Sequence, residues 1–402
     1  GAMCSYFAPN GESVCGNDWL LNGVIRSAQG WNRSDAVIES DCSAVANMVT
    51  NGYASDGVDA SAKALNAGMD LYGGTKDDLW HSGALSQAIN ESRTSVAKLD
   101  AAVKRTTLQK MRLGLFDPEN ASGVSNPWQK ISAGEVNTTR AQLIALEAAH
   151  QGMVLLKNAQ NGRGNDTTLP LKSGSKLAVI GPFATDPRLL FSDYAGDPMK
   201  NGYHGLPGWM PSISDGIAAS NVGGVTTAVA GIPVAVRQTS DWNASSVAEA
   251  LNAVQQAEAT ILTLGNSRAQ EHEGIDRPDT LLDSNQTAFA RQVFQAAKGA
   301  PVILVLVNGG ALSIDELIAP AAAIVESFSP GQQGPVALGQ LLFGAESAQF
   351  GWGKMPFTVY PANYTQTINL TSMSFSDPPG RSYRYYNGNP LFRFGEGLNS
   401  YT

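Results

Sequence analysis

The chain has 402 residues, of which 43% are hydrophobic, and a formal net charge of −8 at pH 7. This length predicts two or more domains, and the acidic balance argues against nucleic acid or an anionic membrane surface as a partner. The longest apolar runs, such as PVILVLVNGG at 301–310, have the length of buried strands and fall short of a membrane span.

Residues 1–115 alternate between short apolar runs typical of strands (AMCSYF, AVIES, AGMDLY) and longer helical patterns. This β/α order predicts a parallel sheet. Polar residues stand at the carboxyl ends of the runs: Ser5-Tyr6, Ser40-Asp41 and Met69-Asp70. In a (β/α)8 barrel those ends build the active site. About three strands are visible where a barrel needs eight, so a complete barrel is not expected.

The rest of the chain divides into a linker, a second β/α series and a tail. Residues 116–170 contain a loop rich in Pro, Gly, Asn and Ser, a helical segment at 138–158 and a polar linker. Residues 171–372 again alternate strand-like and helical runs, which predicts an α/β sandwich of five or six strands. Residues 373–402, rich in Gly, Tyr and Arg, indicate the start of a further β domain.

Asp41 is the first candidate catalytic residue, because it follows the apolar run AVIES where a strand turns toward a helix. The plain interpretation is that it caps that helix, since Asp at an N-cap satisfies orphaned amides. The functional interpretation is an ionised carboxylate presented at a barrel strand end. Tyr6 and Met48 are weaker candidates for lining a ligand site near Asp41, with core packing as the alternative.

A second cluster of charge lies in GNSRAQEHEGIDRPD at 265–279, directly after the strand-like run ATILTLG. It is either a solvated loop or the source of a proton donor whose neighbours tune its pKa. Cleavage of a glycosidic bond needs two carboxyl groups, one ionised and one protonated. Asp41 and a Glu of this loop would form such a pair across an interdomain cleft.

Other chemistries are poorly supported by the sequence. It has four His residues and no Cys/His cluster, so no metal site is predicted. His272 between Glu271 and Glu273 lacks the spacing of a HExxH site. Neither a G-x-S-x-G elbow nor a phosphate-binding Walker sequence is present, and no cofactor is expected.

Cysteines and glycosylation sequons together predict a secreted glycoprotein. Cys4 and Cys15 flank a short loop that a disulfide would close, which leaves Cys42 unpaired among the three cysteines of this sequence. Nine Asn-X-Ser/Thr sequons occur, at Asn32, Asn90, Asn120, Asn137, Asn165, Asn243, Asn285, Asn363 and Asn369.

Eight blocks carry a family resemblance, in this order: MCSYFAPNGESVCGNDWLLNGVIR, VIESDCSAV, AKALNAGMDL, LGLFDPE, EAAHQGMVLLKN, GNSRAQEHEGIDR, PGRSYRYY and LFRFGEGLNSYT. They resemble successive blocks of the secreted fungal enzymes of glycoside hydrolase family 3. The resemblance covers nearly the whole chain, and the ordered set is specific although each block alone is weak. It implies the C-terminal part of a (β/α)8 barrel at 1–115, an α/β sandwich, and the lead-in to a fibronectin type III-like domain.

The resemblance also implies catalytic roles. The Asp of the S-D-[CW] block is the covalent nucleophile, which corresponds to Asp41. The acid/base Glu of the E-G-x-D-R loop corresponds best to Glu273, with Glu271 as runner-up. Such a pair gives net retention, with the carboxyl groups about 5–5.5 Å apart when sugar is bound.

The subgroup and the missing parts set the remaining expectations. Cys after the nucleophile and the E-x-E-G-x-D-R form are similar to the β-xylosidase subgroup, which implies release of terminal xylose from xylo-oligosaccharides. Arabinofuranoside or glucoside side activity stays open, as do a β-glucosidase of the same family and a non-catalytic, carbohydrate-binding relic. The family's N-terminal half-barrel is not in this sequence, so we expect a second chain or a missing segment to complete the active site.

Overall fold

The computed structural model describes residues 1–73, 79–117, 128, 131–135, 137–160, 166–194, 210–234, 242–345, 351–369 and 371–401. Two compact units make up the chain, unit 1 from Gly1 to Ala133 and unit 2 from Gly134 to Thr402. No helix in the described ranges combines the length and the apolar character needed to cross a bilayer.

Unit 1 contains a small parallel sheet covered by helices. Strands β1 (Ala2–Cys4) and β2 (Ile38–Ser40) pair in parallel, and Leu71 adds one bridge to Glu39 of β2. A π-helix spans Trp19–Arg26. The α-helices are α1 (Ala44–Thr50), α2 (Gly57–Ala67), α3 (Ala84–Asn90) and α4 (Val96–Arg112). Across residues 1–73 and 79–117 these strands do not close a barrel.

Local signals explain where the helices of unit 1 begin and end. The Asp56 side chain accepts from the amide of Asp59 and caps α2, and Gly68, at φ 100°, ends it in the left-handed conformation that suits glycine. Ser95 caps α4 by accepting from the amide of Lys98. The alanines of α2 are small enough to pack it closely against the apolar core of the unit.

A buried cluster of charged side chains stabilises the start of β2. The carboxylate of Asp70 pairs with Arg26 at 2.6 Å and with Arg105 at 2.8 Å, and accepts from the amide of Ile38 at 2.8 Å. Burial lowers the pKa of Arg26, while Asp70 opposes that shift. The run AGMDLY, expected as a strand, contributes only the Leu71 bridge, and its Asp70 side chain is committed to the two arginines.

Unit 2 is built on a six-stranded mixed sheet in the order β3-β8-β7-β6-β4-β5. The strands are β3 (Val154–Asn158), β4 (Lys176–Ile180), β5 (Val225–Val229), β6 (Ala259–Gly265), β7 (Val302–Val307) and β8 (Ala323–Glu326). Strand β3 is antiparallel to β8, and the other neighbours are parallel. The expected α/β fold is thereby confirmed.

Helices cover both faces of this sheet. They are α5 (Thr139–Gly152), α6 (Ile213–Ser220), α7 (Ala244–Gln256), α8 (Ser284–Ala296), α9 (Asp315–Ile318), α10 (Gly334–Leu342), α11 (Tyr364–Thr367) and α12 (Ser382–Tyr385). Successive residues of β7 alternate between two apolar cores, with Ile303 and Val305 in one and Leu304 in the other. Both faces of a parallel sheet are buried in this way, which explains the continuous apolar runs in the sequence.

One sequence-based expectation about local structure was wrong, and one alternative is not observed. The stretch 154–158 was predicted as the end of a helix, yet it forms β3, because Gly152 ends α5 and the chain then pairs with β8. Asp41 was considered as a helix cap, yet no side chain caps α1, whose N-cap is Ser43 at φ 61°. Asp41 contacts α1 through its backbone carbonyl, which accepts from the amide of Ala44. Its carboxylate makes no capping hydrogen bond to the helix.

Within unit 2, the tail packs against β3 and against the segment that contains Trp352 and Val359. Phe392 forms a bridge with Val359, and the amide of Leu398 donates to the carbonyl of Leu155 in β3 at 2.8 Å. Tyr401 meets Trp352 edge to face at 6.2 Å between ring centroids. The further β domain expected from 373–402 stays a prediction.

Candidate active site

Asp41 lies directly after β2, at the carboxyl end of the parallel strands of unit 1. Its amide donates to the carbonyl of Cys4, the last residue of β1, at 2.9 Å. Its Oδ1 accepts from the amide of Cys42 at 2.6 Å. Among the described residues no cationic side chain pairs with this carboxylate. Asp41 is therefore held by backbone contacts while its second oxygen remains available to a ligand.

Tyr6 and Met48 line one cavity of about 250 Å³ in unit 1, together with Asn47 and Tyr53. The Tyr6 hydroxyl donates to the carbonyl of Cys42 at 2.8 Å, which steadies the backbone beside Asp41. Tyr6 is 41% exposed, whereas Met48 is 1% exposed and belongs to the apolar core. Their roles in sugar binding stay predictions.

Glu273 occupies a tight turn in the loop that follows β6. The amide of Ile275 donates to the carbonyl of His272 at 2.9 Å, so residues 272–275 form a β-turn. Gly274 is its third residue and has φ 82°, the conformation that a type II turn demands at that position. The Glu273 side chain is exposed, and within the described residues no hydrogen bond or ion pair engages its carboxylate.

Glu271, two residues earlier, is held tightly. Its Oε1 accepts from the consecutive amides of Gly309 and Gly310 at 2.8 and 3.0 Å. Its Oε2 pairs with Nε of Arg277 at 2.8 Å. The two glutamates that the sequence left as alternatives therefore differ sharply in their surroundings.

Asp193 ties the same loop to the segment after β4, and sequence reasoning missed it. Its carboxylate accepts from the amide of Glu273 at 2.8 Å and pairs with Arg268 at 3.1 Å. These two contacts hold the pKa of Asp193 below its usual range. Asp193 is 80 residues from Glu273 in sequence, so no local pattern announced the contact.

Glu326, at the end of β8, is a second acid that the sequence analysis missed. It is 3% exposed, its Oε1 accepts from the amide of Phe328 at 2.9 Å, and its Oε2 lies 3.4 Å from the side-chain amide of Asn308. Burial raises the pKa of Glu326 to about 8, and the negative charge of Glu271 acts in the same direction. At neutral pH this side chain is a neutral acid. An acid at the end of the apolar run AIVE was the available signal, the same one that singled out Asp41.

A cavity of about 330 Å³ lies beside the Glu273 turn and is lined by Asp193, Asn266, Arg268, Glu271 and Arg277 among others. Its walls alternate acidic, basic and amide groups, which suits a ligand rich in hydroxyl groups better than an apolar one.

Cysteines and sequons also have defined places. The disulfide expected between Cys4 and Cys15 is present, with the Cα atoms 5.1 Å apart, and Cys42 is an exposed free thiol. Asn120 and Asn165 lie outside the described residues. The exposed sequon asparagines are Asn32, Asn90, Asn137, Asn243, Asn363 and Asn369. Asn285, in contrast, is 7% exposed within α8, and glycosylation of the sequons stays a prediction.

Comparison with known proteins adds three findings. Residues 153–400 match the family model described as glycosyl hydrolase family 3 C-terminal domain. The chain is 32% identical over 409 residues to a probable exo-1,4-beta-xylosidase, bxlB, of Aspergillus oryzae, covering 100% of this chain and 46% of that protein. It is 32% identical over 409 residues to beta-xylosidase/alpha-L-arabinofuranosidase 1 of Medicago sativa subsp. varia, covering 99% and 48%.

Among solved structures, an exo-beta-xylosidase, XlnD, in complex with a xylobiose aziridine activity-based probe superposes with a TM-score of 0.80 at 29% identity. That match covers 97% of this chain and 47% of the other. The chain thus spans about half the length of the relatives it matches.

Proposed function

Because this chain belongs to glycoside hydrolase family 3, we propose that it is part of a retaining, exo-acting hydrolase that releases terminal β-D-xylose from xylo-oligosaccharides. The observation that carries the proposal is the 32% identity across the whole chain to a protein named as a probable exo-1,4-beta-xylosidase. The relative named as both β-xylosidase and α-L-arabinofuranosidase favours arabinofuranosides as a second substrate class.

Asp41 acts as the nucleophile in this proposal. A retaining enzyme needs an ionised carboxylate that attacks the anomeric carbon and forms a covalent glycosyl-enzyme. Asp41 suits this role because its backbone contacts fix its position, while no described cation competes for its charge. Tyr6, bonded to the carbonyl of Cys42, lends rigidity to the same backbone.

Glu273 acts as the acid/base. The group in this role protonates the leaving oxygen and later removes a proton from water, so it must be free to exchange protons with the ligand. Glu273 meets that condition at the tip of its turn, whereas the carboxylate of Glu271 accepts from two amides and a guanidinium. This contrast is why Glu273 is preferred over Glu271.

The whole protein is proposed to be secreted and glycosylated, with further barrel strands supplied by a preceding segment or a second chain. The Cys4–Cys15 disulfide supports an oxidising compartment, and six described sequon asparagines are exposed. The half-length match to the relatives supports the additional segment.

Trapping of the intermediate tests the proposal in the protein expressed from its complete reading frame. An activated 2-fluoro xyloside should inactivate the enzyme with time, and peptide mass spectrometry should find the sugar on Asp41. Proton NMR of the first product should show the β-anomer. Parallel assays with nitrophenyl xyloside, glucoside and arabinofuranoside rank the substrates.

Three outcomes would overturn the proposal. A label on another residue would remove the nucleophile assignment, and an α-anomeric first product would remove retention. Faster hydrolysis of the glucoside would make the enzyme a β-glucosidase, whereas no hydrolysis of any glycoside would favour a non-catalytic role.

A further inference from the structure

The contacts of Glu271 close the base of the turn that presents Glu273. Glu271 and Arg277, six residues apart in sequence, form an ion pair at 2.8 Å. His272 and Ile275 pair as a bridge inside this closure, with Glu273 and Gly274 at the tip. A closed turn of this kind leaves the tip few alternative positions.

The partner surface for Glu271 is shaped by two glycines after β7. A Cβ atom at Gly309 would lie 2.8 Å from Oε1 of Glu271, which is closer than side chains tolerate. A Cβ atom at Gly310 would lie 2.9 Å from a terminal nitrogen of Arg277. The side-chain amide of Asn308 donates to the carbonyl of Gly310 at 2.9 Å and fixes the orientation of this pair. The end of β7 is therefore built to receive a carboxylate through two parallel amides.

The same loop is anchored to the sheet at a further point. Arg277 donates through its terminal nitrogen to the carbonyl of Ala311 at 2.9 Å, so the ion pair as a whole is docked against the segment after β7. Charged hydrogen bonds of this type are shorter and about twice as strong as neutral ones. With a carboxylate that is 21% exposed, the Glu271 cluster is also partly shielded from water.

We propose that Glu271 is a positioning residue, which docks the turn that carries Glu273 onto the Gly309–Gly310 amides and Arg277. The inference rests on the proposed function for the role of Glu273, while the docking itself concerns the structure of the loop. Removal of the dock should displace the Glu273 carboxylate without removing it, and a displacement of about 1 Å costs roughly 100-fold in rate.

The experiment compares Glu271→Ala, Glu271→Gln and Gly309→Ala with Glu273→Ala in the protein expressed from its complete reading frame. Glu271→Ala and Gly309→Ala should lower kcat by about 10- to 100-fold with little change in KM. Glu271→Gln retains an oxygen that accepts from both amides and should fall between these variants and wild type. The basic limb of the pH profile should persist in all three, and azide should not restore turnover.

Glu273→Ala should behave differently, because it removes the titrating group. Its basic limb should disappear, and azide should restore turnover. Glu249→Ala on the exposed face of α7 and Gly152→Ala, where a Cβ meets nothing within 4 Å, serve as matched controls that should resemble wild type.

Hydrogen exchange supplies a readout that does not depend on activity. In Glu271→Ala the peptides covering 266–279 and 308–311 should exchange faster than in wild type. Unchanged exchange together with unchanged kcat would overturn the docking role. Loss of the basic limb with azide rescue in Glu271→Ala would make Glu271 the acid/base. A wild-type protein inactive on all glycosides would instead remove the proposed function, while the exchange result would still decide the docking role.

Discussion

Asp41 comes directly after β2 and Glu326 is the last residue of β8, yet the two strand ends create different chemical surroundings. Asp41 leaves β2 of unit 1 half-buried, with one oxygen on the amide of Cys42 and no described cation beside it. Glu326 ends β8 of unit 2 at 3% exposure, and burial raises its pKa to about 8. Burial therefore favours the neutral form of Glu326 at physiological pH, whereas Asp41 is only half-buried. An acid at the end of an apolar run therefore indicates an unusual site, but the sequence pattern does not say whether that acid is accessible or buried.

Replacement of Asp41 is expected to have the largest effect, and it tests the more accessible of the two acids. Asp41→Asn should lower turnover of nitrophenyl xyloside by at least about 1000-fold, because the nucleophile is lost. Its thermal unfolding midpoint should stay close to that of wild type, since the side chain makes one described hydrogen bond and no described ion pair. Near-normal turnover would refute the nucleophile assignment.

Asp70→Asn should weaken the ionic contacts that hold β2, the strand that leads to Asp41. The substitution leaves Arg26 and Arg105 without their shared anion in a buried place, which costs about 3–5 kcal/mol. Denaturant unfolding should show a lower midpoint with the largest loss in unit 1. A shift as small as that of a surface ion pair would mean that this cluster does not hold β2.

Glu326→Gln tests the buried acid of this comparison, through the pH dependence of the free energy of unfolding. The folded pKa of Glu326 is raised from 4.5 to about 8. Its contribution to the free energy of unfolding is therefore greatest below pH 4.5 and falls by roughly 1 kcal/mol per pH unit up to about pH 8. A glutamine side chain does not titrate in this range. The free energy of unfolding of Glu326→Gln should therefore rise relative to that of wild type as the pH increases from 4.5 to about 8.

Unfolding of both proteins by denaturant at pH 4.5, 6 and 8 measures the difference. A constant difference between wild type and Glu326→Gln at all three pH values would show that Glu326 does not titrate in this range. Turnover of the variant should remain close to wild type, in contrast to Asp41→Asn.

Arg291→Ala is expected to have the smallest effect. It measures how much an exposed ion pair contributes to stability, for comparison with the buried acidic side chains of Asp70 and Glu326. Arg291 and Glu316 form a two-pronged ion pair at 2.9 and 2.7 Å, but their side chains are 60% and 49% exposed. Exposed pairs of this kind contribute less than about 1 kcal/mol. Loss of more than that amount in a denaturant titration would show that the pair is coupled to the packing between α8 and α9.

The sequence by itself determined the α/β class and the presence of two strand-and-helix series, and it supplied the carboxylates that are proposed to be catalytic. Apolar runs and helical periodicity are local properties, so the runs ATILTLG and PVILVLVNGG predicted β6 and β7 close to where they lie. Asp41 and the EHEGIDR loop were found because acids and glycines at strand ends break a local pattern.

Only the tertiary structure decided what surrounds those groups. Strand β3 was taken for helix because its pairing with β8 involves residues about 170 positions away. The different surroundings of Glu271 and Glu273 depend on Gly309, Gly310 and Asp193, none of which is near the loop in sequence. Burial of Glu326 and of Asn285 likewise follows from the packing of whole elements. Charge state and accessibility depend on what surrounds a side chain, and long-range contacts supply those surroundings.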